Sequence, residues 1–151
     1  MSKPTLWIDG DAAPKACKEV VYRASARTGL NVVFVANSHH SLPKTETLRF
    51  IQVQGGPDVA DDYIAEHCQK NDLVLTEDIP LAARIIEAEG TVLRFRGEAL
   101  TEENVREKLS VRDFMDDLRN SGVVTGGPPP FKPKDKQKFA NALDTWIARN
   151  L

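Results

Sequence analysis

The sequence predicts an α/β fold of three layers: a mostly parallel sheet flanked by helices on both faces, ending in a helical C-terminal segment. Two observations carry this. Short apolar runs that do not alternate with polar residues, within 5–9, 31–36 and 73–76, read as strands covered on both faces. Stretches of helical periodicity separate them, and strands alternating with helices imply crossover connections and a parallel sheet. A third observation sets the functional expectation. Acids stand where strands stop: Asp9 after the first, Asp58, Asp61 and Asp62 after the third, and Asp78 after the fourth. Parallel strands would gather these along the carboxyl edge, where such sheets bind ligands.

Strand one is read at 5–9. Pro14 fits the first turn of a helix whose apolar face is Ala16, Val20, Val21, Tyr22 and Ala24, and Gly29 ends it. Strand two spans 31–36 and stops at Asn37, on the same edge as Asp9. Residues 38–48, with His39, His40 and Pro43, lack periodicity and read as a loop. Strand three, 50–53, leads through Gly55-Gly56-Pro57 into a helix at about 58–69. Its inward face is Ala60, Tyr63, Ile64 and His67, with Asp58, Asp61 and Asp62 clustered at i, i+3 and i+4. Strand four covers 73–76, a helix 81–89 and strand five 91–95. After Arg96-Gly97 the pattern turns helical. Thr101 with Glu102, Glu103 and Asn104 resembles a capped start, and Val105 and Leu109 begin an apolar stripe. Phe114, Met115 and Leu118 continue it as core residues of a second helical segment. Gly122 and the glycines and prolines of 126–130 form a stiff crossing before a last helix, about 135–149, that packs Phe139, Leu143, Trp146 and Ile147 inward.

The whole chain of 151 residues suits one domain, 1–151, with a sizeable core, and its 41% hydrophobic and 28% charged residues argue against disorder. No secretory leader or membrane-length apolar run is visible, so a cytoplasmic protein without a membrane partner is expected. Cys17 and Cys68 form no CxxC pair, which argues against a disulfide framework or zinc site. The net charge of -2 is unevenly spread: 1–90 hold nine Lys and Arg against 13 Asp and Glu, whereas 91–151 are mildly basic. An acidic site with a basic annex would give this pattern, as would mixed solvated faces.

Carboxylates in close quarters disfavour one another's ionisation unless a cation holds them. A hard divalent ion, Mg²⁺ or Mn²⁺, is the simplest answer. Asp9 and Asp78 are the leading ligands; Asp61 or Asp62 would complete the set, and Asp11 would bind directly or orient a water. Thr76 and Asn37 would support the ligands. Such a site suits phosphodiester hydrolysis, with Asp9, Asp11, Asp61 and Asp78 as catalytic candidates. Plain structural roles compete with these: Asp58 as a helix N-cap, Asp11 as cap of the first helix, Asp78 as cap of the helix near Pro80. Arg96 and Arg112 are candidate substrate-binding residues. Arg94, Arg119, Lys132, Lys134, Lys136 and Lys138 fit either a nucleic-acid backbone or solvated helix faces.

Ile8-Asp9-Gly10-Asp11-Ala12-Ala13-Pro14, Val35-Ala36-Asn37, Asp58-Val59-Ala60-Asp61-Asp62, Thr76-Glu77-Asp78-Ile79-Pro80-Leu81-Ala82, Arg96-Gly97, Arg112-Asp113-Phe114-Met115 and Gly126-Gly127-Pro128 together resemble the YaiI/YqxD family, also called UPF0178. The resemblance covers nearly the whole chain, and the family is uncharacterised. That family in turn resembles PIN-like domains, which include metal-dependent ribonucleases. There an Asp closes strand one, further acids come from mid-chain, and an Asp follows a Thr at the end of strand four. The resemblance thus implies roles for Asp9, Asp78 and Thr76, with Asp61 or Asp62 as the middle acid. The family motif has Cys before the proline, where this chain has Ala13, so no thiol acts there.

The leading expectation is a Mg²⁺- or Mn²⁺-dependent nuclease with nucleic acid, specifically RNA, as partner. A haloacid-dehalogenase-type phosphatase is the second, since Asp9-Gly10-Asp11 resembles that superfamily's nucleophile and general acid. Against it, Ala13 replaces the usual Thr or Val and the chain lacks room for a large cap. The third is a non-catalytic PIN-like nucleic-acid-binding module.

Overall fold

The computed structural model describes residues 3–56, 58–122 and 129–151. Its elements run β1 (Thr5–Asp9), α1 (Lys15–Thr28), β2 (Asn31–Ala36), β3 (Leu48–Gln52), α2 (Val59–His67), β4 (Leu73–Leu75), α3 (Ile79–Glu87), β5 (Thr91–Leu93), β6 (Ala99–Leu100), α4 (Glu102–Asn120) and α5 (Pro133–Asn150). One six-stranded sheet has the order β3-β2-β1-β4-β5-β6. Its first five strands are parallel, and β6 pairs antiparallel with β5. The predicted three-layer α/β arrangement is therefore the one observed. The short β6 went unpredicted because two residues carry too little pattern to read.

Side chains of successive strand residues point to opposite faces, and two cores result. Leu6 and Ile8 of β1 pack with Cys17, Val21, Phe34, Phe139, Leu143 and Trp146 under α1 and α5. Trp7 packs with Val33, Val35, Ile64, Val74, Leu81 and Ile85 under α2 and α3. Asp9 shares the parity of Trp7, so the same alternation carries its carboxylate toward the α2 and α3 layer. Gly10 follows because nothing larger fits: a Cβ there would lie 2.0 Å from the Phe34 ring.

Several predicted details change. Residues 102–120 form one helix, not two, since no Gly or Pro interrupts them and a reciprocal Thr101–Asn104 capping box opens the helix. Of the predicted core stripe Val105 is buried and Leu109, Met115 and Leu118 are partly buried, but Phe114 is 61% exposed and lies on the surface. His67 is exposed, its ring stacked on Tyr63 at 4.0 Å, rather than packed inward. Asp58 occupies the N-cap position of α2 but in the left-handed region (φ 64°), and its side chain makes no capping bond. The predicted turn glycines and prolines at 57 and 126–128 lie outside the described residues. Among the described residues no helix is long and apolar enough to cross a membrane.

Candidate active site at the carboxyl edge

Strand order reverses between β1 and β4, and a crevice opens at such a switch point beyond the strand ends. Asp9 ends β1 on one side of it. Thr76, fully buried, follows β4 on the other. Its hydroxyl donates to Asp9 Oδ2 at 3.0 Å and accepts from the Asp78 amide at 3.0 Å. One side chain thus orients the strand-end acid and the entry to α3. Asp78 caps that helix, its Oδ1 accepting from the Leu81 amide at 2.9 Å, so the capping alternative is observed.

Asp61, in the first turn of α2, comes within hydrogen-bond reach of Asp78. Burial, then the charges of Asp78, Asp9 and Asp58, push its carboxyl up to about 7. Asp9 is also raised: burial is the main cause, the Thr76 hydrogen bond opposes it, and the charges of Asp78 and Asp11 reinforce it. Three acids from three separate elements thus repel one another in one place. Asp61 and Asp78 line a cleft of about 310 Å³ with Asp58, Asp62, Arg84 and Arg112, and Asp9 stands beside it. A second cleft of about 580 Å³ shares Asp78, Pro80 and Arg112 and continues along α4 past Lys108 and Val111.

The other predicted site residues are committed elsewhere or lie apart. Asp62 bonds Arg84 at 2.6 Å. Asp11 does not cap α1, whose N-cap is Pro14 without a side-chain bond. It instead accepts from the Asn37 amide at 2.7 Å and the Ser38 hydroxyl at 2.7 Å, lashing the β1–α1 turn to the loop after β2. Burial raises the Asp11 pKa, but these bonds and one from His40 outweigh it and hold the carboxyl below its usual range. Asn37 enters through its backbone, not as a side-chain support for the acids. Arg112 borders both clefts, whereas Arg96 lies across the sheet edge on the α5 side, bonded to Asp135 at 3.1 Å and to the Pro129 carbonyl.

Sequence reading missed Asp72, buried at the opposite edge of the sheet, where it accepts from the Thr5 amide, the Trp7 indole and the Gln69 amide at 2.9–3.0 Å. A tryptophan inside a buried strand was the available signal, because its N–H requires an acceptor. Glu77 was also missed; it binds Arg94 and the Phe95 amide and fastens the β4–α3 turn to the end of β5.

The donor set is all oxygen and anionic, which fits a hard divalent cation. Among the described residues no group of three or more His, Cys, Asp or Glu side chains is placed so that it could hold a metal ion. Mg²⁺ ordinarily takes one or two carboxylates and fills its remaining positions with water and phosphate oxygens.

A family model described as an uncharacterised bacterial group, the YaiI/YqxD family, matches residues 7–149. A UPF0178 protein of Desulfotalea psychrophila is 51% identical over 144 residues, covering 95% of this chain and 97% of that protein. UPF0178 proteins of Yersinia pestis and Yersinia pseudotuberculosis are each 50% identical over 147 residues, covering 96% of this chain and 97% of theirs. No solved structure matches the chain.

Proposed function

The chain belongs to the YaiI/YqxD family, and we propose that it is a metal-dependent phosphodiesterase, a nuclease acting on RNA. The observation that carries this reading is the convergence of Asp9, Asp61 and Asp78 at the switch point, with Thr76 tying two of the three together. The resemblance to PIN-like domains supports the same residues. Asp9 and Asp78 would hold Mg²⁺ or Mn²⁺ and Asp61 would complete the set. When bound, the ion would draw charge from a phosphoryl oxygen and make an attacking water more acidic. Thr76 keeps Asp9 turned toward the cleft. Arg112, bordering both clefts, would meet a substrate phosphate. A proton held by Asp61 would leave if a cation took its place.

The phosphatase reading loses ground on one point. A general acid needs a pKa raised toward the working pH, and Asp11 is held below its ordinary range by three hydrogen-bond partners.

Calorimetric titration of Mn²⁺ at pH 6.5, in two buffers of different ionisation enthalpy, tests the proposal without a guess at substrate. Saturable binding with proton release, lost in Asp9→Asn and Asp78→Asn, is expected, followed by Mn²⁺-dependent cleavage of an oligoribonucleotide. Asn is itself a good N-cap, so the second variant keeps the start of α3. Absence of Mn²⁺ binding both with and without oligonucleotide would refute the proposal.

A further inference from the structure

A second charged feature lies on the same sheet edge, on the opposite face from the acids. Lys132, Lys134 and Lys138 border a cleft of about 360 Å³ with Arg96, Pro129 and Pro130. The three lysines are exposed, and none enters an ion pair among the described residues. The acid within the stretch, Asp135, is buried and already taken by Arg96 and the Lys132 amide. Arg96 is held in place a second time by the Pro129 carbonyl and lies over the Phe131 ring at 5.6 Å. The turn that carries it is seated on α5, because a Cβ on Gly97 would meet the Lys138 backbone at 2.7 Å. The lysines are therefore presented by a fixed frame, and their charge is unspent.

Register relates this patch to the acids. Leu75 of β4 pairs with Leu93 of β5, and Asp78 and Arg96 each stand three residues further on. They leave neighbouring strands, about 4.8 Å apart, at equivalent steps and then diverge, Asp78 to α3 and Arg96 to α5. An extended polyanion crossing the sheet edge would meet one and then the other within a few repeats.

We propose that Arg96, Lys132, Lys134 and Lys138 form a docking surface for the phosphate backbone of a single-stranded nucleic acid, which anchors the strand on one face while a phosphodiester further along reaches the acidic cleft. The substrate class is thereby a polymer rather than a mononucleotide. This deepens the function proposed above and relies on it for the chemistry, though not for the binding.

The test uses the full chain and a fluorescein-labelled oligouridylate, followed by anisotropy in EDTA so that no cleavage intervenes. Each phosphate contact to a single strand contributes roughly -0.7 to the slope of log K against log salt, so three to four contacts predict a slope of roughly -2 to -3. Lys134→Glu with Lys138→Glu should flatten that slope by roughly 1.4 and weaken binding roughly twenty-five-fold at about 0.1 M salt. Glutamate in the first turns of a helix suits its dipole, so α5 should persist; circular dichroism checks this. Hydrolysis of bis(p-nitrophenyl) phosphate with Mn²⁺ reads the acidic cleft alone and should be unchanged by the double variant. Oligonucleotide binding that is absent, or equal in wild type and double variant, overturns the docking surface even if the small diester is hydrolysed. Lysine-dependent binding without any Mn²⁺-dependent hydrolysis supports the surface and removes the nuclease reading instead.

Discussion

Replacing Asp61 by Asn should stabilise the protein at neutral and alkaline pH and leave it unchanged in acid. The folded state raises the Asp61 carboxyl from 3.8 to about 7, first by burial and then by the neighbouring Asp78, Asp9 and Asp58. Between those values the folded chain keeps a proton that the unfolded chain has released. Stability therefore falls as pH rises through this window, and the loss is complete above about pH 7. About three pKa units at 1.36 kcal/mol each would give ~4 kcal/mol. Asp61 is only half-buried and solvent screens the repulsion, so the expected net gain for Asn is ~1–2 kcal/mol. Urea unfolding in EDTA at a series of pH values from 4 to 9 measures it. The wild-type and variant curves should diverge between about pH 4 and pH 7 and then run parallel. With saturating Mn²⁺ the order should reverse, because the wild type alone keeps its full ligand set. Curves that run parallel from acid to alkali in EDTA would refute the crowding of the three acids.

Other substitutions probe separate parts of the same frame. Thr76→Val keeps shape but removes the hydroxyl shared by Asp9 and Asp78, and should weaken Mn²⁺ binding roughly 10–100-fold by calorimetry with the fold intact. Asp72→Ala strands three donors at the far edge of the sheet and should cost ~3 kcal/mol in urea unfolding while leaving Mn²⁺ affinity unchanged. Phe114→Ser should alter stability by less than ~0.5 kcal/mol, since the ring is 61% exposed; a larger loss would return it to the core.

The layers were legible in the sequence because β1, β2 and β4 are buried on both faces and so read as unbroken apolar runs. Asp9 and Asp78 were legible for the related reason that a carboxylate ending such a run has no place in a core. What escaped depends on contacts across long separations. Nothing in the local pattern around Asp62 announces Arg84, 22 residues on, or tells Asp61 from Asp62 as the acid that faces Asp78. Phe114 falls in the apolar stripe read from the sequence and is nonetheless exposed. Periodicity reports that a helix has an apolar face, but whether another element covers that face is settled by topology. Asp11 shows the same limit, since its partners at Asn37 and Ser38 belong to the next strand's loop.

Thr5 is bonded by Asp72 and Asp9 by Thr76, and both pairs are 67 residues apart in the chain. The backbone register between them, Leu6 with Leu73 through Ile8 with Leu75, has that same offset. The central strand pair is thus bolted at both ends by side chains that agree with its ladder. A single-residue insertion or deletion in either strand would put at least one bolt out of register and send the side chains beyond it to the wrong layer. In a deep insertion-and-deletion scan these two short segments should tolerate no length change, whereas the 38–47 loop should accept several.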